Sequence, residues 1–322
     1  MSTGLARNSR RSYSTSVHKY LSFCTHFNLY PYNLTEQNVL RFITFLSNQR
    51  LLARTIKVYL AGLRAWFITS GMQPPFIYTE AVKLALKAID RPQPEAQQVR
   101  PLSMDIISII ISSIAPNYDN LMYTTALLTA YFACMRAAEY CYDPNVAPPL
   151  LSSAVTFYKR AQPPYFTLKI PSSKTSYKGF TAVVGCSYST ICAHCAMSAY
   201  LSLYPRPGTH LLFTNSQAQP LTYKLLSHFI KSTLYKLGYD HTKFTPHSIR
   251  AGAATDAAAK GLSSEAIKKL GRWRSDTYIQ YLRPTPQDQA RIAAQQASSS
   301  PLRPTAPHHS SHLHRGQHLH YY

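Results

Sequence analysis

Apolar residues recur at helical spacing through residues 12–90. From Ser12, the residues Val17, Tyr20, Leu21, Phe23 and Cys24 share one face. Thr35, with Asn38 three residues on, opens a second segment carrying Val39, Leu40, Phe42, Ile43 and Leu46. A third runs from Ala53 with Ile56, Tyr59, Leu60, Leu63, Trp66 and Phe67 on one side and Arg54, Lys57 and Arg64 elsewhere, and a fourth spans about 79–89. This pattern predicts a small helical bundle with basic outer faces, preceded by a flexible stretch, residues 1–11. Proline and polar residues from Arg91 to Gln98 then interrupt the periodicity, which predicts a linker over 91–101.

After Ser103, a suitable N-cap, Met104, Ile106, Ile107, Ile109, Ile110, Ile111 and Ile114 predict a helix too apolar for an exposed position. Such a helix needs a core around it, so a second domain is expected over 102–290. A further helical stretch from Asp119 through Leu127, Leu128 and Phe132 leads into Met135, Arg136 and, three residues on, Glu139. The middle of the chain is β-rich. Val155–Lys159, Phe166–Ile170 and Phe180–Val184 predict a small antiparallel sheet, with Lys174 and Lys178 on the turn before the last strand. Helices are expected again from about Cys192, Thr222, Thr245 and Ser263. The fold class is thus mainly α with a small antiparallel sheet. Residues 291–322 are rich in Ala, Gln, Ser, Pro and His, and a segment of that composition is expected to be disordered.

Charge narrows the function. Lys and Arg number 34 against 13 Asp and Glu, a formal excess of +21. Basic residues recur through both halves, from Arg10, Arg11 and Lys19 to Lys231, Lys236, Lys243, Lys268 and Lys269, interleaved with many of the 24 tyrosines. That distribution argues against a basic tail or membrane stripe and for a polyanion, nucleic acid being the usual one. No run approaches the roughly 20 apolar residues of a membrane span, and the N-terminus lacks the apolar stretch of a signal peptide. A soluble intracellular protein is expected, nuclear in a eukaryotic host.

Six cysteines in a chain of 322 residues do not form a secreted-type disulfide framework. Cys24, Cys134 and Cys141 lie in apolar helical patterns as small core residues. Cys192 and Cys195 have the gap of half a zinc site, with Cys186 nearby. No second pair at standard spacing completes a four-ligand set, which favours a helix start packed on the sheet, and no metal site is assigned.

The sharpest local signal is Thr245-Pro246-His247-Ser248-Ile249-Arg250. Thr suits the N-cap and Pro the first helical position, so a helix should begin here with free amide donors and a positive dipole end. His247 and Arg250, three apart, project from one face and form an anion site. Gly271 suits a left-handed helix cap after the next helix. Ser275 or Asp276 can then cap a short final helix ended by Pro284, on which Tyr278 and Tyr281 share a face.

The order of these segments resembles the tyrosine recombinase, or phage integrase, family. Arg136 with Glu139 looks like the family's first arginine element and Lys174 like its hairpin lysine, with Lys178 a rival on the same turn. His247 and Arg250 look like its His-x-x-Arg helix and Tyr281 like its nucleophile, Tyr278 being too close for the usual spacing. Most members have His or Trp directly after the glycine, whereas here Arg272 precedes Trp273; either residue can fill that position. The resemblance covers about residues 12–290. Its Gly-Arg-Trp-Arg-Ser-Asp wording is most similar to recombinases of DIRS-like and crypton-like mobile elements.

The resemblance implies a helical, SAM-like core-binding domain over 12–90 and an α+β catalytic domain over 102–290. It also implies double-stranded DNA as partner, a tetramer on DNA, and metal-independent, cofactor-free strand cleavage through a 3′-phosphotyrosine. Arg136 and Arg250 would stabilise the charge developing on the phosphate, His247 would act as base, Lys174 would protonate the leaving 5′-oxygen, and Glu139 would orient the site. A type IB topoisomerase and a catalytically inactive DNA-binding descendant of a mobile element are the competing readings.

Overall fold

The computed structural model describes residues 7–90, 99–145, 148–171 and 178–282, together with residues 290 and 294. The first periodic segments form helices α1 (Arg7–His26), α2 (Glu36–Asn48), α3 (Ala53–Thr69) and α4 (Glu80–Asp90). The apolar faces expected from the spacing meet in one core: Tyr20, Phe23, Phe42, Ile43, Leu46, Ile56, Leu60, Leu63, Phe67 and Val82 are buried together. Thr35 caps α2 by accepting the Asn38 N–H at 3.2 Å, an interaction worth about 1 kcal/mol. Arg54, Lys57 and Arg64 remain exposed on the outer side of α3. Helix α1 starts at Arg7, earlier than the expected Ser12. Residues 7–11 contain no apolar residue, so periodicity could not mark them, yet nothing in them breaks a helix. The segment 91–98, within the expected linker, and the tail from 291, apart from residue 294, lie outside the described residues.

A second, separate core is built from helices α5 (Met104–Ser113), α6 (Tyr118–Phe132), the single turn α7 (Ala137–Tyr140), α8 (Ala193–Leu203), α9 (Tyr223–Lys236), α10 (Pro246–Ala259) and α11 (Ser264–Gly271), with strands β1 (Val155–Tyr158), β2 (Tyr165–Ile170) and β3 (Phe180–Gly185). The strands pair antiparallel in the order β1-β2-β3, with Val155 opposite Leu168 and Ile170 opposite Phe180. Phe166, Leu168, Ile170, Ala182 and Val184 alternate onto the face that joins the core, as period-two burial requires. Residues 171–179 link β2 to β3. Lys178 is exposed there, whereas Lys174 lies outside the described residues.

Helix α10 is the hub of this domain. Its Ile249, Ala251, Ala253, Ala254 and Ala257 are buried, and small side chains let neighbouring backbone approach closely. A Cβ on Gly252 would lie 1.9 Å from the Leu102 carbonyl oxygen, so only glycine admits the strand-like segment crossing there. That segment is fixed by backbone bonds from Leu102 N–H to Ser248 O (2.9 Å) and from Arg100 N–H to Lys243 O (2.8 Å). Asp256 completes the junction, accepting the Met104 N–H at 2.8 Å and the Tyr131 hydroxyl. Burial, and then the adjacent Asp256 carboxylate, push the Tyr131 pKa well up, so the phenol stays protonated and donates.

One local expectation is corrected. Gly271 is the last residue of α11, and the left-handed cap is Arg272, at φ 58°. What excludes a side chain at 271 is the Trp273 ring, which a Cβ would meet at 1.7 Å. The expected short final helix is present as the 3₁₀ helix Asp276–Tyr281, with Ser275 at its N-cap.

Candidate active site

The site is assembled where α7, α10 and the chain after α11 converge. Arg136 is the N-cap of α7, and Glu139 folds back to accept both the Arg136 backbone N–H (2.9 Å) and its guanidinium (3.0 Å). This is one half of a capping box: Glu139 accepts the N-cap N–H, while its own N–H goes to the Arg136 carbonyl at 2.8 Å because a guanidinium cannot accept. Glu139 Oε2, which accepts the Arg136 backbone N–H, also takes the Arg272 guanidinium at 3.0 Å. The carboxylate is 2% exposed and the two arginine side chains 17% and 21%, so this pairing is largely shielded from water.

Cys134, just before this element, has φ 46°, a left-handed conformation uncommon for a residue with a side chain. It turns the Cys134 carbonyl toward two guanidiniums: Arg250 donates to it, and Arg272 donates at 3.2 Å. Arg272 also donates to the Ala133 carbonyl at 2.9 Å and lies over the Phe180 ring at 3.8 Å. Arg250 donates further to the Gly271 carbonyl and stacks under the Trp273 ring at 4.2 Å. A chain of charge-assisted contacts thus runs from Arg136 through Glu139 and Arg272 to Arg250.

The cluster holds three guanidiniums and one carboxylate, which pairs with Arg136 and Arg272, so two positive charges are in excess. Burial lowers the Arg250 and Arg272 pKa values from the ordinary guanidinium range, but an arginine remains protonated in proteins. The Nε donors of both are buried without a hydrogen-bond partner. Unpaired N–H groups in a positive enclosure are suited to an anion.

His247 and Tyr281 close the other side. The His247 and Tyr281 rings are 5.6 Å apart, Trp273 and Tyr281 5.3 Å, and the Arg250 guanidinium is 5.9 Å from the Tyr281 ring. Thr255 holds the nucleophile candidate's backbone by donating to the Tyr281 carbonyl at 3.1 Å. At the start of α10, Ser248 accepts the Thr245 N–H at 3.0 Å, fixing the turn that carries His247.

The structure therefore brings Arg136, Glu139, His247, Arg250, Arg272, Trp273 and Tyr281 together from separated stretches. It also separates the rivals. Tyr278 is 5% exposed, packs with Ala257 and Ile267, and donates its hydroxyl to Ser264 at 2.8 Å, so it belongs to a small core. Trp273, not Arg272, faces Tyr281; Arg272 turns inward to Glu139. Arg250 has no solvent exposure, because Trp273 and two backbone carbonyls enclose it. Sequence reasoning missed Cys134, whose role rests on a backbone angle and its carbonyl, for which the residue type gives no signal.

A model of the phage integrase family matches residues 180–287, which hold His247, Arg250, Arg272, Trp273 and Tyr281. No curated protein matches the chain. Among solved structures, the chain is similar to XerH site-specific recombinase bound to palindromic difH substrate, with TM-score 0.61 and 17% identity, covering 89% of this chain and 78% of that one. It is also similar to the Tn1549 transposon integrase in complex with transposon right end DNA, with TM-score 0.60, 13% identity and coverage of 92% and 96%. A lambda integrase dimer bound to a COC' core site gives TM-score 0.58, 15% identity and coverage of 89% and 92%. Residues 180–287 thus match the phage integrase family, and the described residues have the mostly helical fold, with a small antiparallel sheet, of these solved recombinases and integrases.

Proposed function

We propose that this protein is a site-specific DNA recombinase that cuts and rejoins strands through a covalent 3′-phosphotyrosine, in the service of a mobile element. The observation that carries the proposal is the meeting of Tyr281 with His247, Trp273 and Arg250 beside the Arg136–Glu139–Arg272 cluster. In this reading the Tyr281 oxygen forms a bond to phosphorus while the bond from phosphorus to the 5′-oxygen breaks. The phenol proton passes to His247, and Lys174 supplies a proton to the departing 5′-oxygen. Arg136 and Arg250 stabilise the charge on the non-bridging oxygens. Glu139 and Arg272 are positioning residues. Because Arg250 is enclosed, DNA binding must displace the Trp273–Tyr281 segment far enough to admit the phosphate.

The exposed Arg54, Lys57 and Arg64 of α3 support a role for the first four helices in gripping the duplex, opposite the catalytic domain. Exchange of strands between two duplexes calls for an assembly of four protomers, and the mobile-element role rests on the Gly-Arg-Trp-Arg-Ser-Asp stretch. The test is trapping on nicked suicide duplexes carrying the element's own end sequences. The parent chain and Tyr278→Phe should form a covalent adduct that mass spectrometry maps to Tyr281, and Tyr281→Phe should bind DNA but form none. An adduct that persists in Tyr281→Phe overturns the assignment. Resealing of the same strand without exchange would instead identify a topoisomerase.

A further inference from the structure

Between the end of β3 at Gly185 and the start of α8 at Ala193, the chain loops back so that three cysteines and a histidine meet. Cys186 Sγ lies 3.6 Å from Cys192 Sγ and 3.9 Å from Cys195 Sγ, and none of the three is in a disulfide. Cys186, Cys195 and His194 each place a ligand atom within 4.8 Å of the other two. Four donors tetrahedrally arranged around Zn²⁺, with Zn–S bonds of about 2.3 Å, stand roughly 3.8 Å apart, so the observed sulfur separations are those of the edges of such a tetrahedron.

His194 supplies an independent pointer. Both of its ring nitrogens are buried and neither has a hydrogen-bond partner, although the ring is held in place edge-on to Phe157 at 5.5 Å. A buried imidazole with both nitrogens unsatisfied is costly unless something else occupies one of them. The sulfurs are prepared as well. The Ser187 N–H points at Cys192 Sγ at 3.4 Å, and the Cys195 backbone N–H donates to the same sulfur. Such N–H donors hold and tune thiolate ligands from outside the coordination sphere. Cys192 is also the N-cap of α8, where the helix dipole favours an anionic sulfur.

We propose that Cys186, Cys192, His194 and Cys195 bind one Zn²⁺ as a structural centre that clamps the end of β3 to the start of α8. Three thiolates and one imidazole are a zinc donor set, and four protein ligands leave no open position for substrate. The fourth ligand that sequence spacing did not supply lies inside the Cys192–Cys195 motif itself, as His194. A disulfide explains the cluster less well, since a bond of about 2.05 Å would use two sulfurs and leave the third and His194 unsatisfied. None of the four ligands belongs to the arginine cluster. The clamp sits at the Gly185 end of β3, remote from Phe180, so it anchors the base of the β2–β3 pair.

The test uses the full untagged chain, purified without metal-affinity resin. Elemental analysis after dialysis should find about one zinc per chain. Co²⁺ added to the metal-stripped protein should give the intense visible bands and thiolate charge-transfer absorption of tetrahedral sulfur coordination, which the histidines of the C-terminal tail cannot produce. Cys186→Ser and Cys195→Ser should each lose that zinc, and the melting temperature of the stripped parent should recover on adding Zn²⁺. The inference is overturned if Co²⁺ gives no thiolate band with the parent chain, if zinc content is unchanged in both serine variants, or if two of these cysteines are found quantitatively disulfide-bonded. The Co²⁺ spectrum needs no variant and no DNA, so its outcome is independent of strand cleavage.

Discussion

Replacing Gly271 by alanine tests the packing on which the site depends. The added Cβ would lie 1.7, 2.1 and 2.3 Å from three atoms of the Trp273 six-membered ring. Carbon atoms rest at about 3.5–4.0 Å, so the indole must retreat by roughly 1.5–2 Å. That retreat weakens its stacking on the buried Arg250 guanidinium, now at 4.2 Å, an interaction worth about 2 kcal/mol when desolvated. It also disturbs the Trp273–Tyr281 contact at 5.3 Å, worth roughly 0.5–1.5 kcal/mol. Alanine returns up to about 1 kcal/mol of helix propensity, less at a helix end. The balance, if both contacts are lost, is a net loss of roughly 1.5–3.5 kcal/mol.

Equilibrium urea unfolding reads that loss directly. Trp66 and Trp273 are the two tryptophans, so a Trp66→Phe background assigns the fluorescence to Trp273. Its emission should shift in Gly271→Ala, and covalent trapping on DNA should fall more than binding does. Equal or greater stability with unchanged Trp273 emission would refute the reasoning, because it would mean the indole does not lie over residue 271.

Glu139→Gln keeps the shape of the side chain but removes the charge between Arg136 and Arg272; breaking a buried pair costs about 3–5 kcal/mol, so the urea midpoint should fall clearly, and an unchanged midpoint would show that the cluster tolerates three unpaired guanidiniums. Asp256→Ala strips the Met104 N–H and the Tyr131 hydroxyl of their acceptor, and denaturation should register a loss of roughly 1–3 kcal/mol. DNA affinity should drop steeply between low and physiological salt if the basic excess contacts phosphates; Arg54→Ala with Lys57→Ala should flatten the log–log slope by about two phosphate contacts, and an unaltered slope would remove α3 from the interface.

Much of the fold was legible in the chain because burial has a period. The helices from Thr35, Ala53, Ser103 and Thr222, and the three strands of the sheet, follow from apolar spacing, and Thr35, Ser103 and Thr222 each cap their helix by accepting a backbone N–H. The polar start of α1 was invisible for the same reason: with no apolar residue over 7–11 there was no period to read. Spacing also placed His247 and Arg250 on one helix face, and residue order nominated Arg136, Glu139 and Tyr281.

Side-chain direction between distant segments was a different matter. Sequence could not choose between Arg272 and Trp273, and it preferred Tyr281 to Tyr278 only on the spacing of a resembling family, because each pair lies on one short stretch and differs in what other segments bring near. The packing of Ala257, Ile267 and Ser264 took Tyr278 into a core, and the Cys134 carbonyl with Glu139 drew Arg272 inward, leaving Trp273 beside Tyr281. The gathering of Cys186 with Cys192, His194 and Cys195 likewise depends on how β3 meets α8. Periodicity along a chain encodes which faces must leave water, a local property of each element. Which polar groups then face one another is settled only when those faces pack, since hydrogen bonds and charges act over a few ångströms between residues that may be a hundred positions apart.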